Sequence, residues 1–338
     1  MVKLIVQIPC LDEEETLPTV LADIPAHIEG VDEIEVLVID DGSKDRTAAI
    51  AVMSGAHVVR HTGNKGLAAA FQTGLDECLR LGADIIVNTD GDHQYRGTDI
   101  PALVKPIVQG DCDIVVGNRQ TRNIAHFSPT KKRLQAMGSW TMQKLSGVKV
   151  PIDAPCGFRA FSREAAMRLN VLTGYTYTLE TLIQAGKKNL NVMSVPITTN
   201  RVARPSRLFK SIGSYVKRSA STMLRIWALY EPLKTFSYFA AIFLAFGLAL
   251  IGRFGVLYFA AGEKGPRHVQ SLIIAMIFLM IGAVIAAVAL LSDSIATNRR
   301  LLEEQLRRTK ELQFQLGAYE RRLDAIGRSQ DLRLPADD

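Results

Sequence analysis

What the chain lacks narrows its chemistry first. It has four cysteines, Cys10, Cys78, Cys112 and Cys156, far apart and with no CxxC pair. That spacing argues against a zinc ribbon or a disulfide framework and fits reduced thiols in a cytoplasmic domain. No GxGxxG follows the first apolar run, and no GxxxxGKS/T occurs anywhere. Neither the dinucleotide fingerprint nor the P-loop is therefore available, and phosphate has to be handled another way. No histidine stands where an obvious general base is expected. Acid is missing from residues 204 to 230, which carry the six bases Arg204, Arg207, Lys210, Lys217, Arg218 and Arg225.

What is present has an order. The 338 residues are 48% hydrophobic and 22% charged, enough for a large domain with an appendage or for two domains. The start, MVKLIVQIPC followed by LDEEE, is too short for a signal peptide and reads as a first strand. Up to about residue 200, short apolar runs alternate with amphipathic stretches. The strands expected are KLIVQIP, IEVLVID, AHVVRH, ADIIVNTD and CDIVVGN. This alternation predicts βαβ units and a mostly parallel sheet with helices on both faces. In such sheets, ligands bind at the carboxyl ends of the strands.

Beyond residue 200 the character changes. The basic stretch 204–232, with interleaved Leu208, Ile212, Tyr215, Met223, Ile226 and Trp227, reads as helices on a membrane surface, or as a solvated basic face. Residues 236–261 and 271–292 are long enough and apolar enough to span a bilayer. Arg253 is the one charge inside the first run. With a short loop between them they form a hairpin, and flanking Arg and Lys predict a cytoplasmic domain and a cytoplasmic C-terminus. From 294 onward the chain is charged and helical. Ile295, Leu302, Thr309, Leu316 and Leu323 recur every seven residues, but Asn298 and Gln305 fall in the same seam. Both a coiled coil between subunits and a helix packed on its own domain are open. The expected division is therefore 1–203, 204–232, 233–293 and 294–338.

Two acidic pairs close predicted strands. In NTDGDHQY, Asp90 and Asp92 are either turn residues or, with Gln94, hard oxygen ligands for a divalent ion. In VIDDGSKDRT, Asp40 and Asp41 suit recognition of a base or ribose, or else an Asx turn that leaves Asp41 unexplained.

IPCLDEEE, VIDDGSKDRT, NKGLAAAFQTGL, DGDHQY, VVGNR, CGFRAFSRE and RVARPSRL follow one another in the order seen in family 2 glycosyltransferases. The chain resembles most the branch of dolichol-phosphate mannose synthases and polyprenyl-phosphate glycosyltransferases, over residues 1 to about 215. The resemblance implies a GT-A α/β fold followed by a two-helix transmembrane hairpin and a C-terminal helix. It implies that Pro9, Leu11, Glu13, Ile39 and Asp41 contact the nucleotide, and that Asp90, Gly91, Asp92 and Gln94 form the motif for Mg²⁺ or Mn²⁺ and diphosphate. Arg119 and Arg133 match arginines that hold the acceptor phosphate, and Arg201 and Arg207 match cations that approach the diphosphate.

Asp12, where the family often has Asn, and Arg204, where mannose synthases often have Gly, favour a UDP-sugar over GDP-mannose. The activity implied is inverting transfer of one sugar to a polyprenyl phosphate at the inner face of the membrane. Catalysis would rest on Asp92, Arg119, Arg133 and Arg201. Nucleotide sugar, polyprenyl phosphate and membrane lipid are the partners implied, with a homo-oligomer and no nucleic acid. A processive polysaccharide synthase is the alternative, but neither Trp140 nor Trp227 completes a QxxRW pattern. A degenerate, non-catalytic scaffold is a third reading. Asp153 is open between sugar contact and turn cap, Glu180 between the site and a buried ion pair, and His93 is expected to point away from the ligands.

Overall fold

The fold is given by a computed structural model. It describes residues 1–120, 129–148, 153–171, 177–200, 221, 230–260 and 269–331, with the side chains of 129–137, 315 and 318–331 left aside. The chain divides into two compact units, Met1–Tyr215 together with Gln305–Asp338, and Val216–Glu304.

The first unit is built on a seven-stranded sheet in the order β3-β2-β1-β4-β6-β5-β7. The five strands expected from sequence form β1 (Lys3–Cys10), β2 (Glu33–Asp40), β3 (His57–Arg60), β4 (Ile85–Asn88) and β5 (Ile114–Asn118). Two more, β6 (Arg159–Ser162) and β7 (Val192–Pro196), have no long apolar run to announce them. β6 runs antiparallel to both β4 and β5, and every other pairing is parallel. β1 is apolar almost throughout because helices cover both faces of the central sheet.

Helices α1 (Leu17–Ala22), α2 (Thr47–Met53), α3 (Leu67–Arg80) and α4 (Ile100–Val108) are the crossovers of the parallel strands. α3 lies so close to the sheet that a Cβ on Gly74 would meet Gln7 Oε1 and Ile39 Cδ1. After β5 come α5 (Pro129–Ser146), α6 (Arg163–Arg168) and α7 (Tyr177–Lys187). Strands are added to one side of β1 as far as β3 and to its other side from β4 onward, and this switch between the parallel β1 and β4 opens a crevice at their carboxyl ends.

The second unit holds α8 (Pro232–Gly255), a π turn over Val256–Ala260, and the first part of α9 (Val269–Asp331). Gly247 meets Leu279 and the Ala275 carbonyl, and Gly282 meets Leu244, with no room for a Cβ at either glycine. Small residues at the contact let two apolar helices approach closely. Both are long and apolar enough to cross a membrane, and only 11% and 17% of their most apolar windows are buried. A core helix of a soluble domain would be mostly covered. Arg253 falls in the last turn of α8.

The far part of α9 belongs to the first unit. Lys310 Nζ lies 2.7 Å from Asp76 Oδ1 on α3 and 3.3 Å from Asn170 Oδ1. The Arg163 guanidinium sits 6.0 Å from the Phe314 ring centroid. Of the two readings of the tail, these contacts fit a helix packed on its own domain.

Candidate active site

The site is assembled at the carboxyl ends of β1, β2 and β4 and at the entrance to β6. The loop leaving β1 and the loop leaving β2 interlock. The Asp12 N–H donates to Ser43 Oγ at 3.0 Å, and the Lys44 N–H donates to Asp12 Oδ1 at 2.8 Å. The Glu13 N–H donates to Thr47 Oγ1 at 2.9 Å. Asp12 has φ 52°, a left-handed conformation that Asn and Asp tolerate best among residues with a side chain. Aspartate at this position therefore serves the backbone, so it is a poor guide to the donor base.

Asp40 and Asp41 are both buried, and both accept hydrogen bonds, Asp40 through one oxygen and Asp41 through two. Asp40 accepts from the Ser43 N–H at 2.8 Å and lies 3.0 Å from Arg60 Nε, so the expected Asx turn is its work. Asp41 accepts from the N–H groups of Lys65 and Gly66 at 2.9 and 2.8 Å and pairs with His61 Nδ1 at 2.7 Å. It ties the loop before α3 to the sheet, which is the role the sequence left unassigned. Three partners already occupy the carboxylate expected to contact the nucleotide. The Ile39 side chain is fully buried beneath Gly74 of α3 and faces the core, so it offers a nucleotide its backbone alone. Pro9 is buried at the end of β1, next to Leu11 in the loop, where the backbone borders the crevice.

The second acidic pair is built differently. Gly91 is packed against Cys10 Sγ and the Glu13 side chain, and a Cβ there would come within 2.9 Å of the sulfur. Its carbonyl accepts from Thr16 Oγ1 at 2.7 Å, which brings the β1 loop onto the acidic motif. Buried Glu13 also accepts from Thr16 Oγ1 at 3.0 Å. Asp92 accepts from the Gln94 N–H at 3.1 Å. Asp90 accepts no hydrogen bond among the described residues. Loss of solvent and then the Asp92 charge push its pKa up to about 7, with Arg119 acting in the opposite direction. His93, at φ 55°, turns its Nε2 toward Asp23 at 3.8 Å and Asn200 at 3.5 Å, partners outside the Asp90–Asp92 pair.

Arg119 leaves β5 toward this pair and is held by Asp153. Its Nε donates to Asp153 Oδ2 at 2.7 Å and its Nη2 to Oδ1 at 3.0 Å. This is the two-pronged geometry that fixes a guanidinium plane. Burial works against the charge, but the Asp153 bonds and nearby negative groups raise the Arg119 pKa. Asp153 is thus an orienting carboxylate, a third role beside the two the sequence left open. Arg133 lies on α5 with its side chain outside those described, and Arg201, Arg204 and Arg207 lie outside the described residues.

Sequence reasoning missed Arg159. It is fully buried, and it donates to the carbonyls of Cys156, Thr178 and Ala154 and to Thr181 Oγ1 at 2.7–2.9 Å. It pins the 153–158 turn to α7. Within that turn, Gly157 has Asp90 oxygens 3.2 and 3.3 Å and Tyr177 Oη 2.6 Å from where a Cβ would stand. Tyr177 in turn receives a hydrogen bond from Asn88 Nδ2 at 2.9 Å and stacks on Phe71 at 3.9 Å. An arginine between apolar neighbours in CGFRAF was the available signal. Glu180 is buried on α7, where Gln184 Nε2 donates to it at 3.3 Å.

Among the described residues, no three His, Cys, Asp or Glu side chains converge as a complete metal cage. Two crowded carboxylates with an amide nearby suit a cation whose remaining ligands come from a bound diphosphate.

Residues 5–169 match the profile of glycosyl transferase family 2. The UDP-N-acetylglucosamine–dolichyl-phosphate N-acetylglucosaminyltransferase of Methanococcus voltae is 31% identical over 217 residues, which cover 57% of this chain and 83% of that protein. The polyprenol monophosphomannose synthase of Mycolicibacterium smegmatis is 26% identical over 227 residues, covering 64% of this chain and 83% of its own. Glucosyl-3-phosphoglycerate synthase from Mycobacterium tuberculosis, solved with Mn²⁺, UDP-glucose and phosphoglyceric acid, aligns with a TM-score of 0.53 at 23% identity. That alignment covers 67% of this chain and 80% of the synthase, and it establishes a shared fold.

Proposed function

The chain belongs to glycosyl transferase family 2, and on that premise we propose that it moves one sugar from a nucleotide-sugar donor onto a polyprenyl monophosphate. The reaction inverts the sugar linkage and takes place at the cytoplasmic face of a membrane that α8 and the apolar part of α9 cross. The observation that carries this reading is an acidic pair, Asp90 and Asp92, placed within electrostatic reach of an arginine that Asp153 has already aligned. Two relatives whose names give different sugars share a polyprenol-type phosphate acceptor, which supports the acceptor class. The Methanococcus relative supports a UDP-sugar donor. Asp12 no longer does, because its side chain is spent on the Lys44 N–H.

Asp90, Asp92 and Gln94 would hold Mg²⁺ or Mn²⁺. When bound, the cation supplies Lewis-acid neutralisation of the departing diphosphate. The chain's own residues do the rest. Asp153 takes Nε and one Nη2 hydrogen of Arg119, which leaves Nη1 for a phosphate oxygen. Arg133 joins it on the acceptor phosphate, and Arg201 and Arg207 add fixed positive charge at the diphosphate. A phosphate monoester has a second pKa of about 6 and is mostly dianionic at pH 7, so it attacks without a general base. That matches a site with no histidine aimed into it among the described residues.

The test incubates membranes containing the protein with radiolabelled nucleotide sugars and a short polyprenyl phosphate. Label should enter an acid-labile glycolipid, stop with EDTA and resume with Mn²⁺ or Mg²⁺. Label in polymer would instead point to a processive synthase. Folded protein with no turnover on any common donor would sink the reading.

A further inference from the structure

Away from the acidic edge, one helix of the first unit has two unlike faces. The inner face of α5 buries Met142 and Ser146, and it lies so close to α7 that Gly186 has no room for a Cβ beside the Ser146 carbonyl. The outer face presents Trp140, which is 59% exposed. It is the only aromatic among the large exposed apolar side chains of the described residues in that unit. Lys144, one turn on, holds its ammonium 6.0 Å from the Trp140 ring centroid. The helix PTKKRLQAMGSWTMQKLS carries Lys131, Lys132, Arg133 and Lys144 and no acidic residue in its 18 positions.

An exposed indole on a purely basic helix is costly in water and well suited to one environment. Trp settles at the level of lipid headgroups, with its ring among the glycerol groups and acyl ends. Lys and Arg beside it are drawn by anionic headgroups. We propose that the outer face of α5, through Trp140 and Lys144, rests on an anionic bilayer surface and so seats the transferase unit on the membrane that supplies its acceptor. The occupant is lipid because the helix carries charge of one sign in its sequence and sets the Lys144 ammonium beside an exposed ring that is part apolar and part polar. This inference rests on the reading that the apolar helices are inserted in a bilayer.

The chain has two tryptophans, so the full-length Trp227→Phe protein reports on Trp140 alone. It is reconstituted into vesicles of phosphatidylcholine and phosphatidylglycerol, with and without phosphatidylcholine brominated near the headgroup. Trp227→Tyr serves as a second single-tryptophan background should the first fold poorly. Flotation is scored first. Protein that fails to float with the vesicles overturns the membrane reading and this inference together. In floated protein, Trp140 emission should shift to the blue and fall about twofold with bromolipid. Lys144→Glu should weaken that quenching. Emission untouched by bromolipid but fully quenched by acrylamide would leave the function standing and overturn the seat. Emission shielded from both quenchers would overturn it too, in favour of a protein neighbour.

Discussion

Two acidic pairs close the strands on either side of β1, and the chain treats them in opposite ways. At the end of β2, Asp41 accepts from two loop N–H groups and pairs with a histidine, while Asp40 accepts from a turn N–H through Oδ1 and faces Arg60 as an ion pair, its Oδ2 accepting no hydrogen bond among the described residues. At the end of β4, Asp90 accepts no hydrogen bond from a described residue, and Asp92 accepts one, from the next-but-one amide. Both pairs look alike in sequence. The difference lies chiefly in Asp41, which brings three donors of its own, against Asp90, which finds none among the described residues, and it is this deficit that supports the proposed ligand role. Two crowded carboxylates with so few internal donors are unfavourable by themselves, and Arg119 offsets the Asp90 charge only in part.

The largest effect that sharpens this contrast is Asp92→Ala. Turnover should fall at least about a thousandfold, a loss of some 4 kcal/mol in transition-state stabilisation. Calorimetry should show the Mn²⁺ requirement for binding a nucleoside diphosphate disappear, while the thermal midpoint holds. A variant that stays active in EDTA would break the comparison.

Next is Asp153→Ala, which strands the charge of Arg119. Removing one partner of a buried pair costs about 3 kcal/mol of stability. The acceptor kcat/KM should drop by about 100-fold, with donor binding little changed, because only the orientation of Arg119 is lost. Equal losses on both substrates would place Arg119 on the donor side.

Asp41→Asn should reverse the balance seen at Asp92. It replaces one of the two acceptor oxygens by an NH2 that faces the donors of His61, Lys65 and Gly66, and it should cost about 1–3 kcal/mol in urea denaturation, with kcat reduced only a few-fold. A kcat collapse in protein of parental stability would show that Asp41 meets the nucleotide after all. The smallest effect is Lys310→Ala. Its pair with Asp76 is part exposed, and losing it should cost about 0.5 kcal/mol and leave activity unchanged.

Legibility in the sequence followed the same divide. Strands with a long apolar run, such as Lys3–Cys10 and Glu33–Asp40, were readable to within a residue or two because period and length agree. β6 was not, since its four residues begin with a buried arginine that reads as surface. The DGD motif pointed to its site because its residues are adjacent. Asp153 stands 34 residues from Arg119, and only the sheet brings the two together. The structural partners of Asp41 were hidden for a related reason: His61, Lys65 and Gly66 arrive from another loop. Ile39 was assigned to the pocket by motif position alone, and the alternation of a strand sent its side chain the other way.

The reversed direction of β6 has a further consequence. A strand parallel to its neighbours reaches the working edge only as it exits, whereas β6 begins there, with Arg159 paired to both Asn88 and Val116. Asp90 and Asp92 hang from an exit; the brace for Arg119 hangs from an entry. Insertions upstream of the turn at Asp153 would therefore reshape the Arg119 side of the edge while the Asp90 side keeps its register, so the scaffold offers a separate handle on each half of the proposed site.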